Sequence, residues 1–122
     1  MDLPRDTVGQ LRVLFAFGLT QDFYAADTEH VNAMVNALRE AFTDLSGRFG
    51  ATVLGGMDDD QLQVGPSTGY PWTAYILADV PSFDVAHQIC NLVRETPVLE
   101  GRLWRYIKVE ARVGRPLFFG VS

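Results

Sequence analysis

Apolar and polar positions alternate along this chain in two rhythms, and the change between them marks out its elements. Leu11 to Gly18 (LRVLFAFG) is a short, almost continuous apolar run bounded by Gly9 and Gly18, the pattern of a buried strand. A polar connection runs from Thr20 to Thr28. The period then becomes helical: Val31, Met34, Val35, Leu38, Phe42 and Leu45 fall at offsets 0, 3, 4, 7, 11 and 14. Asp27 or Thr28 caps the free amides of the first turn. Asn32, Asn36, Arg39, Glu40 and Asp44 take the opposite side, and Gly47 and Gly50 end the helix.

Ala51 to Met57 predicts a second strand, in which Gly55 and Gly56 mark a bulge or a close backbone approach. Asp58, Asp59 and Asp60 make a turn. Gln61 to Val64 alternates like a short strand or hairpin arm, and Gly65 to Pro71 is loop. Trp72 to Val80 predicts a third main strand, with Trp72, Ala74, Ile76, Ala78 and Val80 on one face and Thr73, Tyr75, Leu77 and Asp79 on the other. Ser82 caps a second helix carrying Val85, Ile89, Leu92 and Val93 in a stripe, and Pro97 stops it.

The last strand, Leu103 to Val113, has two chemically different faces. Its odd positions are Leu103, Ile107, Val109, Ala111 and Val113, interrupted by Arg105, and suit a hydrophobic layer. Its even positions are Trp104, Tyr106, Lys108, Glu110 and Arg112. Aromatics beside three charges suit a pocket wall or a partly polar interface, where ring bodies bury and polar tips find partners. An ordinary outer face with two aromatics is the plainer alternative. Same-face neighbours lie about 7 Å apart along a strand, within reach of long side chains.

The order β–α–β–β–α–β predicts an α+β, ferredoxin-like domain with a four-stranded antiparallel sheet and two helices on one face. One domain is expected over residues 1–122: a loose leader at 1–10, the core at 11–113, and a tail at 114–122 that is too apolar for a free terminus. The uncovered sheet face, with Tyr75, Trp104 and Tyr106, predicts a homodimer joined through sheet faces.

Composition narrows the partners. The chain has 122 residues and is 48% hydrophobic, enough for a proper core. No stretch approaches the roughly 20 apolar residues of a membrane span. Met1 to Gln10 lacks an apolar signal core, so a cytoplasmic location is expected, and the single Cys90 agrees with a reducing compartment. A net charge of −5 without a Lys/Arg cluster argues against nucleic acid and against an anionic membrane surface.

Most chemical motifs are absent. His30 and His87 are the only histidines and each stands alone, so no metal site is expected. The Asp58–Asp60 run lacks the ligand spacing of a calcium loop, and Gly65–Gly69 lacks the ending of a phosphate loop. Cys90 reads as an inert core thiol. No cofactor is expected. What remains is a binding reading: Trp72, Tyr75 and Trp104 as apolar walls, Lys108 and Arg112 bracketing a carboxylate, and Tyr106 or Glu110 available for proton transfer. Glu110, between two cations, stays ionised. An interfacial ion pair explains the same charges equally well.

The element order over residues 11–113 resembles the dimeric α+β barrel superfamily. That group includes cofactor-free monooxygenases, muconolactone isomerases, polyketide cyclases, haem degraders and members with no known reaction. Two phrases resemble something narrower: Asp58 to Pro81, including GYPWT and YILADVP, and LWRY with KVEARVGR from Leu103 to Arg115. Both are similar to a family of small proteins encoded with bacterial indole-3-acetate degradation genes. This resemblance implies an aromatic-acid pathway and brings no catalytic residues with it. The leading expectation is binding, or conversion without a cofactor, of an aromatic or lactone-like acid. A non-catalytic dimeric accessory protein is the competing class. A haem-handling protein, with His30 as its one candidate axial ligand, is the third.

Overall fold

A computed structural model describes residues 11–66 and 71–120. The expected leader at 1–10 lies outside the described residues, as do 67–70 and 121–122. Among the described residues there are six strands and four helices: β1 (Leu11–Leu19), α1 (Gln21–Tyr24), α2 (Thr28–Ala41), α3 (Leu45–Phe49), β2 (Thr52–Asp58), β3 (Trp72–Val80), α4 (Phe83–Glu95), β4 (Pro97–Val98), β5 (Gly101–Arg102) and β6 (Ile107–Gly114). A 3-10 turn, Leu103–Arg105, precedes β6.

The main sheet has the order β2-β3-β1-β6, and every neighbouring pair is antiparallel. With the two long helices packed against one face, this is the ferredoxin-like arrangement. Strand β1 is central. Val13, Phe15 and Phe17 point from it into the core, opposite Ala78, Ile76 and Ala74 of β3 and Val113, Ala111 and Val109 of β6. Met34 of α2 and Ile89 and Val93 of α4 close the layer, all fully buried. The alternation along β3 therefore places its faces as the sequence predicts. Gly55 and Gly56 also behave as expected: the β2–β3 register shifts between Val53 and Gly55, and a Cβ at Gly56 would sit 3.1 Å from the Tyr75 carbonyl oxygen.

The structure corrects four sequence expectations. The predicted helix through Leu45 breaks after Ala41, because Asp44 adopts a left-handed conformation (φ 52°) and caps α3 by accepting from the Gly47 amide at 3.0 Å. The Arg48 guanidinium donates to the Ala41 and Thr43 carbonyl oxygens, both at 2.7 Å, and so satisfies chain ends that a continuing helix would have used. Leu45 still reaches the core, from α3. Gln61–Val64 forms no strand. The connection after β1 is not purely loop, since Thr20 caps the helical turn α1.

The fourth correction bears on function. Leu103–Val113 is not one strand. A small β4–β5 hairpin follows α4, turning at Leu99 (φ 52°), and the chain then tightens into the 3-10 turn. The Leu103 amide donates to the Thr96 carbonyl oxygen and the Tyr106 amide to that of Leu103, both at 2.9 Å. Side chains three apart eclipse in a 3-10 turn, so Leu103 and Tyr106 both enter the core. Strand alternation begins only at Ile107.

Met34 is fully buried in α2, whereas Asn36, two positions on, is exposed. Met34→Ala is expected to lose about 2–5 kcal/mol of unfolding free energy in urea titrations. Asn36→Ala should stay within about ±0.5 kcal/mol. Equal losses would mean that α2 presents a different face.

Candidate functional site

The break before β6 scatters the residues expected to form one row. Tyr106 is buried in the core, its carbonyl oxygen accepting from the Thr20 amide at 3.0 Å and from the Thr20 hydroxyl at 3.2 Å. Trp104 stands half-buried between the turn and α4. Only Lys108, Glu110 and Arg112 share the open face of β6. Lys108 nonetheless turns back along the chain: its ammonium donates to the Trp104 carbonyl oxygen at 2.6 Å and lies 3.8 Å from the centroid of that indole. Burial lowers the Lys108 pKa below the usual lysine range, and the charge of Arg94 lowers it further. Arg112 instead pairs with Glu110 at 3.0 Å. Lys108 and Arg112 thus hold different partners.

On the open face, Tyr75 lies in register with Met57 of β2 and Ala16 of β1, and Ala16 in turn with Glu110. Its hydroxyl donates to Asp59 Oδ2 at 3.3 Å or to the Trp72 carbonyl oxygen at 3.2 Å. Burial raises the Tyr75 pKa, and Asp59 raises it further, so the phenol keeps its proton and is poorly suited to act as a base. Arg12 holds Asp79 with two hydrogen bonds, at 2.7 and 3.2 Å. Between these ion pairs lies a shallow apolar hollow made by Leu14, Leu54, Met57, Tyr75 and Leu77. Met57 is 59% exposed, Leu54 46% and Leu77 36%.

An apolar pocket lies on the other side of the sheet, beneath α2. It has a volume of about 300 Å³ and is part-open to solvent. Val35, Leu38 and Arg39 of α2 and its C-cap Phe42 line it from one side, and Phe17, Leu19, Thr73, Ala74, Tyr75, Ile76 and Ile107 from the sheet. Phe17 and Phe42 meet edge to face, ring centroids 5.2 Å apart. Among the described residues Arg39 is the one cation in this lining, and its guanidinium pairs with no carboxylate. Arg39 is exposed, as its place on the polar side of the helix predicts, while its aliphatic part reaches the pocket. The available signal was its spacing: it lies four residues after Val35 and three before Phe42, on the border of the stripe.

A third cleft, of about 510 Å³ and more polar, separates α4 from Trp104. His87, Cys90, Asn91 and Arg94 line it at successive helical turns, with Trp104 and Val109 opposite. Burial pushes the Cys90 thiol up to about 11, which keeps it protonated and unreactive at neutral pH. His30 is exposed beside Asp27, 3.5 Å from its carboxylate, and lines none of these three spaces. Among the described residues no three His, Cys, Asp or Glu side chains gather as metal ligands, and no helix is long and apolar enough to cross a membrane.

No family model matches the chain, and no curated protein matches it. Solved structures do resemble it at low identity. One is a dimeric protein of unknown function with a ferredoxin-like fold from Bacteroides fragilis, with a TM-score of 0.40 and 14% identity over 85% of this chain and 95% of that one. Another is a protein of unknown function from Rhodopseudomonas palustris, with a TM-score of 0.45 and 17% identity over 93% of this chain and 86% of that one.

Proposed function

We propose that the protein binds a small ring-bearing carboxylic acid in the pocket beneath α2, with Arg39 holding the carboxylate. The observation that carries this reading is the single cation at an otherwise apolar lining. Ligand sites are typically apolar cavities with a few polar groups that fix orientation, and about 300 Å³ suits a compact ligand. The edge-to-face pair Phe17–Phe42 offers a surface on which an aromatic ring packs favourably. Arg presents a planar fork that matches a carboxylate with two parallel hydrogen bonds. An aromatic acid also fits the indole-3-acetate setting that the sequence resemblance implies. Neither Tyr106 nor Glu110 lines this pocket, so the reading is of binding rather than turnover.

The chain is further proposed to work as a two-fold dimer joined through its open sheet faces, as in a dimeric α+β barrel. The support is the layout of that face, an apolar hollow at Leu54, Met57 and Leu77 flanked by the Arg12–Asp79 and Glu110–Arg112 pairs. A two-fold axis through the hollow sets apolar surface against itself and leaves charges at the rim, the usual anatomy of a stable interface.

Calorimetry with indole-3-acetate and phenylacetate tests the pocket. The unmutated protein should bind at least one of them, and Arg39→Ala should weaken that binding by about 1.5–3 kcal/mol, the range for hydrogen bonds to a charged group. The methyl ester should bind the parent protein no better than the acid binds Arg39→Ala. Absence of binding by any ring acid, or an unchanged affinity in Arg39→Ala, would contradict the reading.

Sedimentation equilibrium tests the assembly. A dimer is expected at micromolar concentration, and Leu77→Asp should convert it to a folded monomer by placing a charge in the centre of the interface. A parent protein that sediments as a monomer would remove the dimer.

A further inference from the structure

We propose that the C-terminal tail, with Leu117, Phe118 and Phe119, is a dimer arm that lies in the apolar hollow of a second copy's open sheet face. This rests on the dimer through open sheet faces and names the segment that fills its centre.

Two exposed apolar surfaces of one chain suit each other. Leu117 is 52% exposed, Phe118 52% and Phe119 61%, and the two phenyl rings meet edge to face, centroids 5.1 Å apart. None of the three lines the hollow of its own chain, at Leu14, Leu54, Met57 and Leu77. Neighbouring exposed rings of this kind mark a contact surface. Pro116 lacks the amide that would continue the β6 ladder, so the tail leaves the sheet there.

The sheet register sets where the tail goes. Gly114, Arg12, Asp79 and Thr52 form one row across the four strands, so the tail starts at the β6 corner of that row. Asp58, Asp59 and Asp60 follow the far end of β2, at the diagonally opposite corner. From Gly114 to Phe118 an extended chain spans about 13 Å, more than the roughly 10 Å between stacked sheets. The tail is therefore long enough to cross to a facing sheet. A two-fold axis that exchanges opposite corners sets the tail of one copy over the other's Met57, which lines the hollow and is 59% exposed.

Charge agrees with that arrangement. Arg115 opens the tail, and residues 116–122 carry no charged side chain. Among the described residues Arg115 pairs with no carboxylate, and Asp58, Asp59 and Asp60 pair with no cation. The Asp58 carboxyl is held above the usual carboxylate range by its hydrogen bond with Asp60 and by that group's charge, so the turn carries unrelieved repulsion. Exchange of corners brings each Arg115 beside the other copy's acidic turn, whereas within one chain the two stay at opposite corners.

Cross-linking tests the exchange. Cys90→Ala removes the chain's one cysteine, and two such proteins are made, one with Phe118→Cys and one with Met57→Cys. Mixed and oxidised, they should yield a covalent dimer with one chain of each, faster than either protein alone. In sedimentation equilibrium of otherwise unmutated chains, Phe118→Ala should raise the dimer Kd about tenfold or more, the effect of losing one buried phenyl ring. Arg115→Glu should raise it about threefold at low salt, and about 1 M salt should remove that difference. A Phe118→Ala protein that dimerises like the parent, or absence of the mixed cross-link, would overturn the arm and leave the sheet-face dimer standing. A parent chain that sediments as a monomer would remove the dimer and the arm together. Loss of fold in Phe118→Ala would show that the tail packs on its own chain and would equally overturn the proposal.

Discussion

The alternation of side chains along β1 is the constraint from which the rest of the structure follows. β1 is hydrogen-bonded on both edges, so its register fixes that of β3 and of β6 at once. A slip of one residue would send Val13, Phe15 and Phe17 to solvent and bring Arg12 and Leu14 into the core. With the register as it stands, β1 presents apolar side chains to α2 and α4 and a mixed surface to the other side. Among the described residues the sheet thus has one face covered by helices and one face uncovered. The pocket beneath α2 belongs to the first, and the proposed dimer surface to the second.

The chemistry of the molecule is set by what happens just before β6. Had the chain entered that strand at Leu103, Trp104 and Tyr106 would have extended the open face and increased its aromatic surface. The 3-10 turn instead commits Tyr106 to the core and leaves Trp104 against α4, where it gathers Arg94 and Lys108. Removal of those rings makes the open face an apolar hollow between ion pairs, better suited to another sheet than to a small aromatic ligand. The same turn gives the chain a polar cleft on the α4 side in addition to the apolar pocket beneath α2.

Fold was legible in the sequence wherever one period ran uninterrupted. The stripe from Val31 to Leu38, the alternation of Trp72–Val80 and the stripe around Ile89 each declare an element and its buried face. Failures came where a local hydrogen bond overrode the period. Asp44 in a left-handed conformation breaks a stripe that continues numerically to Leu45, and nothing in the spacing announces it. Leu103 and Tyr106 satisfy both a strand reading and a 3-10 reading of the same apolar positions, and the bond from the Leu103 amide to Thr96 decides between them. The candidate sites were less legible because an exposed charge on a helix can still border a pocket. Arg39 borders an apolar stripe, and Arg94 completes a helical face begun by His87 and Cys90. Their roles depend on what packs opposite, which one helix cannot reveal.

The central claim is that the pocket beneath α2, and not the open sheet face, receives an aromatic acid. Nuclear Overhauser contacts between bound phenylacetate ring protons and protein methyl groups test it most directly. The account predicts contacts to Val35, Leu38 and Ile76, which line that pocket. Contacts confined to Leu14, Leu54 and Leu77 would place the ligand on the open face and contradict it.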